Sequence, residues 1–435
     1  MAEYHGASGH VFYQRRPFRR WALLLATALI LALLLGYTRW LNALPNVVIP
    51  GHPLVAHNAY NDYVRAVKLL KDKAEIADAV GPNPTLPSPR REALLGENQP
   101  ALRALKRGLA KEYTDRAVRS FTARIAYLPG YRNLTRLLDI EGWAKASHGN
   151  WNGMVSDDLG IVRFGLQIPR GGTLISMLVG QAVESIGVGD IERALPHLSA
   201  PDALATAKKL ESMGAQRQPM SATIREEKWS TEASLIEAFR KPAWRWQSAT
   251  TLLPTDDDSS SYSLGIRLMR YSDREIFANF DRYMNQCIAN SELPYGTVEP
   301  RIPIPSDPIG QILTPLFSQA EFFICRQESR EAMLVTALAL HAYRLEQRAY
   351  PADLSALTES GAHGGYLDHL PADPFAPDGK LRYRLMGKSY LLYSVGPDRI
   401  DDSGVPIENE SEPGGHVSHV VLPNSRGDIV FGAAR

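Results

Sequence analysis

The chain has 435 residues, of which 48 are Lys or Arg and 47 Asp or Glu, a formal net charge of +1, and 44% are hydrophobic. That length gives room for two or three domains with a real core, and the even charge balance excludes a globally basic nucleic-acid binder or a receptor for acidic polymers. Cys287 and Cys325 have neither a CxxC nor a Cys/His spacing suited to zinc, so they read as a disulfide or as two separately buried thiols.

Residues 21–37, WALLLATALILALLLGY, form a run of 17 residues without a charged side chain. At a rise of about 1.5 Å each they cover roughly 26 Å of helix, and Trp40 and Leu41 extend the run toward a full bilayer core. Arg15, Arg16, Arg19 and Arg20 precede it, whereas Arg39 stands nearly alone after it. The positive-inside bias therefore predicts a cytoplasmic basic tail over 1–20, a transmembrane anchor over 21–41 and the remaining chain outside the cytoplasm. Trp21, Tyr37 and Trp40 suit the aromatic belts. A cleaved signal peptide would carry a shorter apolar region and a small-x-small site, but here Leu41 stands two residues before Ala43. RRPF resembles the start of a twin-arginine export signal, yet Arg19 and Arg20 occupy positions where apolar residues would follow.

Residues 42–314 read as an irregular helical-hairpin domain. Tyr60, Tyr63, Val64, Val67, Leu70 and Ala74 have helical spacing within 58–80, and the Pro-rich GPNPTLPSPR ends that segment. A second helix is predicted over about 90–109, with Leu94, Leu95, Leu102 and Leu105 on one side, and further helices follow to about residue 240. SHGNWNG at 147–153 and the Gly-Gly of PRGG at 169–172 mark turns of helix pairs. The helical stretch after the second turn is almost uncharged as far as Gly189, with Glu184 as its one acid, and reads as central in a core. No fixed repeat period supports a solenoid. Glu226 and Glu227, beside Arg225 and Lys228, read as a salted helix surface. Trp244 and Trp246 read as aromatic packing, with a sugar or peptide platform as the sharper alternative. Asp256, Asp257 and Asp258 fall in a polar loop and read as solvated.

A proline-rich connector precedes Pro315, which suits the first turn of a helix running to about Gln347. Beyond Tyr350 the pattern changes to short strands and turns. KLRYRL and SYLLYSV alternate around MGK as a hairpin, and Pro351 stops the long helix.

The order Tyr350-Pro351, Tyr366-Leu367, Leu370-Pro371, Asp373-Pro374-Phe375, Tyr383 and then Ser394 to Asp398 resembles the globular domain of the major pseudopilins of type II secretion systems. The resemblance covers residues 330–404 and implies a long helix, a small antiparallel sheet and an acidic loop. It also implies that the loop binds calcium, with Asp398 as one carboxylate ligand and Asp401 or Asp402 as the second, oxygens of the kind calcium prefers. The N-terminus departs from that family, since Arg20 abuts the apolar run and no acid lies between positions 21 and 37. Pseudopilin processing and filament assembly are therefore not implied.

No G-x-S-x-G, H-E-x-x-H, Walker loop or G-x-G-x-x-G occurs. His416 and His419 read as exposed ring positions in a Val-rich terminal strand, and the RGD at 426–428 as a tripeptide expected by chance. The expected fold is mainly α with an α+β C-terminal domain over 315–435: a transmembrane helix, the helical-hairpin domain, then a long helix with a small antiparallel sheet. The expected function is a structural or interaction role in the bacterial cell envelope, single-pass in the inner membrane with its bulk periplasmic. Its expected partners are the membrane and envelope or secretion-system proteins, with no nucleic acid, and its only expected cofactor is calcium. The alternative is an envelope hydrolase or carbohydrate-binding enzyme with its site in the helical domain.

Overall fold

A computed structural model describes residues 16–52, 55–80, 86–116, 119–120, 126–241, 243–246, 264–297, 302–313, 317–359, 365–408 and 420–432. The readings of Asp256 to Asp258, His416 and His419 lie outside these residues. The fold is mainly helical, with a small antiparallel sheet and an N-terminal apolar helix. In chain order the helices are α1 (Arg16–Leu41), α2 (Tyr60–Leu69), α3 (Lys73–Asp78), α4 (Ser88–Glu97), α5 (Gln99–Leu109), α6 (Leu128–Ser147), α7 (Trp151–Gln167), α8 (Leu174–Ala194), α9 (Ala200–Gly214), α10 (Met220–Phe239), α11 (Asp273–Asn290), α12 (Pro308–Leu313) and α13 (Phe317–Gln347). The strands are β1 (Arg382–Met386), β2 (Ser389–Ser394) and β3 (Ile429–Val430).

The chain divides into two compact units. The first comprises Met1–Val47, Leu235–Phe280 and Pro305–Leu313. In it, the apolar stretch Arg20–Leu41 of α1 is long enough to cross a membrane and, apart from Leu41 at its end, is not buried against protein. The last carbonyls of a helix lack internal partners, and here the Arg245 guanidinium supplies one. It donates to the Leu41 carbonyl at 2.9 Å and the Asn42 side chain at 3.1 Å, and is itself paired with buried Asp273 at 2.6 Å. Trp244 lies buried against Phe239 and donates its indole N–H to Asp273 at 3.2 Å. Packing accounts for it, and only Trp246 of the pair keeps a substantial exposed surface.

The second unit comprises Val48–Ser234, Asp281–Ile304 and Thr314–Arg435 and holds two cores. One gathers α2, α4, α5 and α6 with parts of α7 and α8 around Tyr63, Tyr131 and Phe164. The predicted helix over 58–80 is divided here, because Leu70 is extended and Asp72 adopts a left-handed φ of 49°. Asn98 pins that break. Its fully buried side chain accepts from the Lys71 N–H at 2.8 Å and donates to the Leu94 carbonyl at 3.0 Å. Asn98 also separates α4 from α5, so the predicted helix over 90–109 is two.

The other core is organised by α13, whose Leu334, Ala337, Leu338 and Leu340 are wholly buried. Helices α8 and α9 pack on α13, and so does β2, so the long helix joins the helical layers to the sheet as its length suggested. Its chain leaves the helix through Arg348 at a φ of 60°, the left-handed turn common at helix C-termini. The sheet order is β1-β2-β3, all antiparallel, with Tyr383 opposite Leu392 and Ser394 opposite Ile429. Gly387, with a φ of 63°, makes the predicted tight hairpin turn. Cys287 and Cys325 are both buried free thiols.

Candidate functional site

The loop after β2 holds Asp398, Asp401 and Asp402, and it closes against the segment leading into β3. Gly396 makes this approach feasible: its φ is 72°, and a Cβ there would stand 2.5 Å from the Gly427 carbonyl oxygen. Asp398 accepts from the Ile400 N–H at 3.2 Å and from the Gly427 N–H at 3.3 Å. Asp401 accepts from the Tyr393 hydroxyl at 2.9 Å, the Ser403 N–H at 3.0 Å and the Arg382 Nε–H at 3.0 Å. Burial opposes ionisation of Asp401, but these donors hold its carboxyl below the ordinary range.

Sequence reading missed the fourth acid. Asp428, dismissed within a chance RGD, is buried beneath the loop. It accepts from the Gly404 N–H at 2.7 Å and the Asp402 N–H at 3.4 Å, while its own backbone joins Val405 and Ile407. Burial, reinforced by the charges of Asp401 and Asp402, pushes its pKa up to about 6. The structure thus brings the predicted aspartates into one loop and adds a carboxylate 24 residues after Gly404. Four carboxylates are chemically suited to a hard cation. Asp398, Asp401 and Asp428, however, already place both of their oxygens on N–H or O–H donors. Among the described residues no three Asp, Glu, His or Cys side chains are arranged to hold a metal ion.

Beneath the same strands lies Asp373, from the Asp-Pro-Phe segment. Its carboxylate accepts from Ser329 of α13 at 3.0 Å, Ser394 of β2 at 2.8 Å and the Val395 N–H at 3.1 Å. One buried acid therefore fixes the sheet to the long helix.

Other acids are placed differently from their sequence reading. Glu226 and Glu227 are not a salted surface. Glu226 is buried and accepts from Nε and Nη2 of Arg119, each at 2.7 Å, and Glu227 accepts the Leu174 N–H at 2.9 Å, at the N-terminus of α8. Their partners, Arg119 and the Leu174 N–H, lie 107 and 53 positions away, which the local charge pattern does not disclose. Glu184 of α8 is held by Arg217, whose two terminal nitrogens reach it at 2.9 and 2.7 Å. Arg217 also meets Glu331 at 2.5 Å and Glu328 at 3.5 Å, both on α13. The signal available in sequence was Glu184 itself, since an acid within the otherwise uncharged stretch 174–189 needs a partner.

These features define a mainly helical protein with an N-terminal membrane-length apolar helix and a C-terminal antiparallel sheet packed on a long helix. Compared with known protein families, with curated proteins and with solved structures, the chain matches none.

Proposed function

We propose that the chain is a single-pass protein of the bacterial inner membrane, anchored by α1 with its N-terminus in the cytoplasm, and that its extracytoplasmic units have a structural or interaction role in the envelope alongside secretion-system proteins. The observation that carries this reading is the contrast between two apolar helices. Leu174–His197 is 61% buried and serves a core, whereas Arg20–Leu41 is 0% buried, and so large an apolar surface calls for lipid. The arginines before the span supply the orientation. The relation to pseudopilins is supported by the succession of α13, the Pro351 stop, the buried Phe375, the β1-β2 hairpin and the acidic loop.

Fusions at the C-terminus test the topology. Alkaline phosphatase there is expected to be active and a fluorescent protein exported by the same route to be dark, with the chain retained in membranes through an alkaline carbonate wash. A cytoplasmic C-terminus, or release by the wash, sinks the reading.

Calcium belongs to the same proposal, with Asp398, Asp401 and Asp402 as its ligands and Asp428 beside them. In detergent-solubilised full-length protein, millimolar calcium is expected to raise the melting temperature by about 2 °C or more, and magnesium to do less. No rise, or an equal rise in the Asp398→Ala variant, removes calcium and leaves a loop closed by hydrogen bonds alone.

A further inference from the structure

Many cations of the second unit stand beside a carboxylate: Lys106 with Glu141, Lys111 with Asp62, Lys145 with Asp157, Arg119 with Glu226 and Lys228 with Asp281. One groove breaks that habit. Between the end of α7 and the outer face of α9 lies a half-open cavity of about 330 Å³ whose walls include Arg163, Arg170, Lys208 and Lys209. No Asp or Glu lines it, and none of the four forms an ion pair with a described carboxylate. The nearest acid in sequence, Glu211, is turned toward His369 at 3.2 Å. The Arg170 guanidinium is oriented by donating to the Gln216 carbonyl at 3.0 Å. Leu166 and Met213 supply an apolar part of the wall.

Four cations gathered on one concave surface repel one another, and that repulsion is relieved most directly by an anion bound among them. Guanidinium and ammonium groups together suit phosphate oxygens, with arginine giving forked hydrogen bonds and lysine a mobile point charge. The volume exceeds what a bare phosphate fills, and the apolar wall offers a surface for a carbon skeleton. We propose that this groove binds an organic phosphate, its phosphate oxygens held by Arg163, Arg170, Lys208 and Lys209 and its organic part lying against Leu166 and Met213. The site is separate from the acidic loop and does not depend on the envelope reading.

The phosphate could belong to a soluble ester or to a lipid headgroup, and the test separates them. Detergent-solubilised full-length protein is titrated with inorganic pyrophosphate at low ionic strength, following its melting temperature. In parallel, the protein is reconstituted into nanodiscs of phosphatidylglycerol or of phosphatidylcholine. A response to pyrophosphate assigns a soluble phosphate, whereas higher stability in phosphatidylglycerol with no response to pyrophosphate assigns a headgroup. In either case the double variants Lys208→Ser/Lys209→Ser and Arg163→Gln/Arg170→Gln are expected to weaken the effect about tenfold or more, and added salt to diminish it. Without ligand both variants should melt no lower than the wild type, because like charges have been removed. A wild type that responds to neither probe, or variants that respond as the wild type does, overturns the proposal.

Discussion

Replacing Arg217 by Met is expected to cost about 3–5 kcal/mol of folding stability, because it strands buried carboxylates without their cation. Three acids converge on this one guanidinium, and Glu184 is only 1% exposed. Burial by itself would raise the Glu184 pKa, but the charge of Arg217 and hydrogen bonds from Glu331, Arg217 and Gln327 outweigh it, so this carboxyl sits below its ordinary value. Glu331 goes the other way. Burial first, and then the charge of Glu184, hold it well above the usual range. Glu328 is raised too, chiefly by burial.

The sign of the pH dependence follows. A carboxyl whose folded pKa is raised binds a proton that the unfolded chain has released, so its contribution is full below the unfolded value and declines as pH rises toward the folded one. Glu331→Gln keeps the neutral, hydrogen-bonding form at every pH. It is expected to match the wild type near pH 4 and to exceed it increasingly as pH rises past the ordinary carboxylate range. Urea unfolding of the solubilised full-length protein reads both effects, and the triple variant Arg217→Met/Glu184→Gln/Glu331→Gln should recover most of what Arg217→Met loses. A single Arg217→Met variant within about 1 kcal/mol of wild type would show that water, not Arg217, solvates these acids.

What sequence disclosed and what it hid divides along chain distance. The apolar run of α1, the turn at 147–153 before α7, the Gly387 turn and the Pro351 stop each depend on a few adjacent residues, so composition and spacing revealed them. The break at Asn98 was hidden because its partner, Lys71, lies 27 positions away. Arg217 and Glu331 are 114 positions apart, and no periodicity ties one to the other. Asp428 was invisible for the same reason: only the fold carries it beneath the loop of Asp398, Asp401 and Asp402. Glu226 and Glu227 were misread because a charged stretch looks solvated until its distant partners, here Arg119 and the Leu174 N–H, are known. The cationic groove is built from the end of α7 with the turn after it and from α9, and each half alone reads as ordinary surface cations.

The second large effect arises where α7 and α8 cross. Adding a Cβ at Gly165 would place it 2.6 Å from the Gly180 carbonyl oxygen and 2.7 Å from the Glu184 nitrogen. A Cβ at Gly180 would stand 2.5 Å from the Gly165 oxygen, and one at Gly187 2.6 Å from the Asp158 oxygen. These neighbours are backbone atoms, so no side-chain rotation relieves the clash and the helices must move apart. Gly165→Ala is therefore expected to lose about 1–3 kcal/mol, although alanine favours a helix by about 1 kcal/mol over glycine. Gly96→Ala is the control, since a Cβ there meets nothing within 4 Å, and it should gain up to about 1 kcal/mol. Gly165→Ala and Gly180→Ala act on the same contact, so the double variant should cost less than the sum of the two. The crossing also sets the position of Glu184, whose nitrogen is one of the atoms Gly165 approaches. Forcing the helices apart should loosen the Arg217 cluster, so Gly165→Ala combined with Arg217→Met should likewise fall short of additivity. If the two changes add fully in urea unfolding, the glycine crossing and the buried charges are independent, and the coupling argued from their shared backbone is wrong.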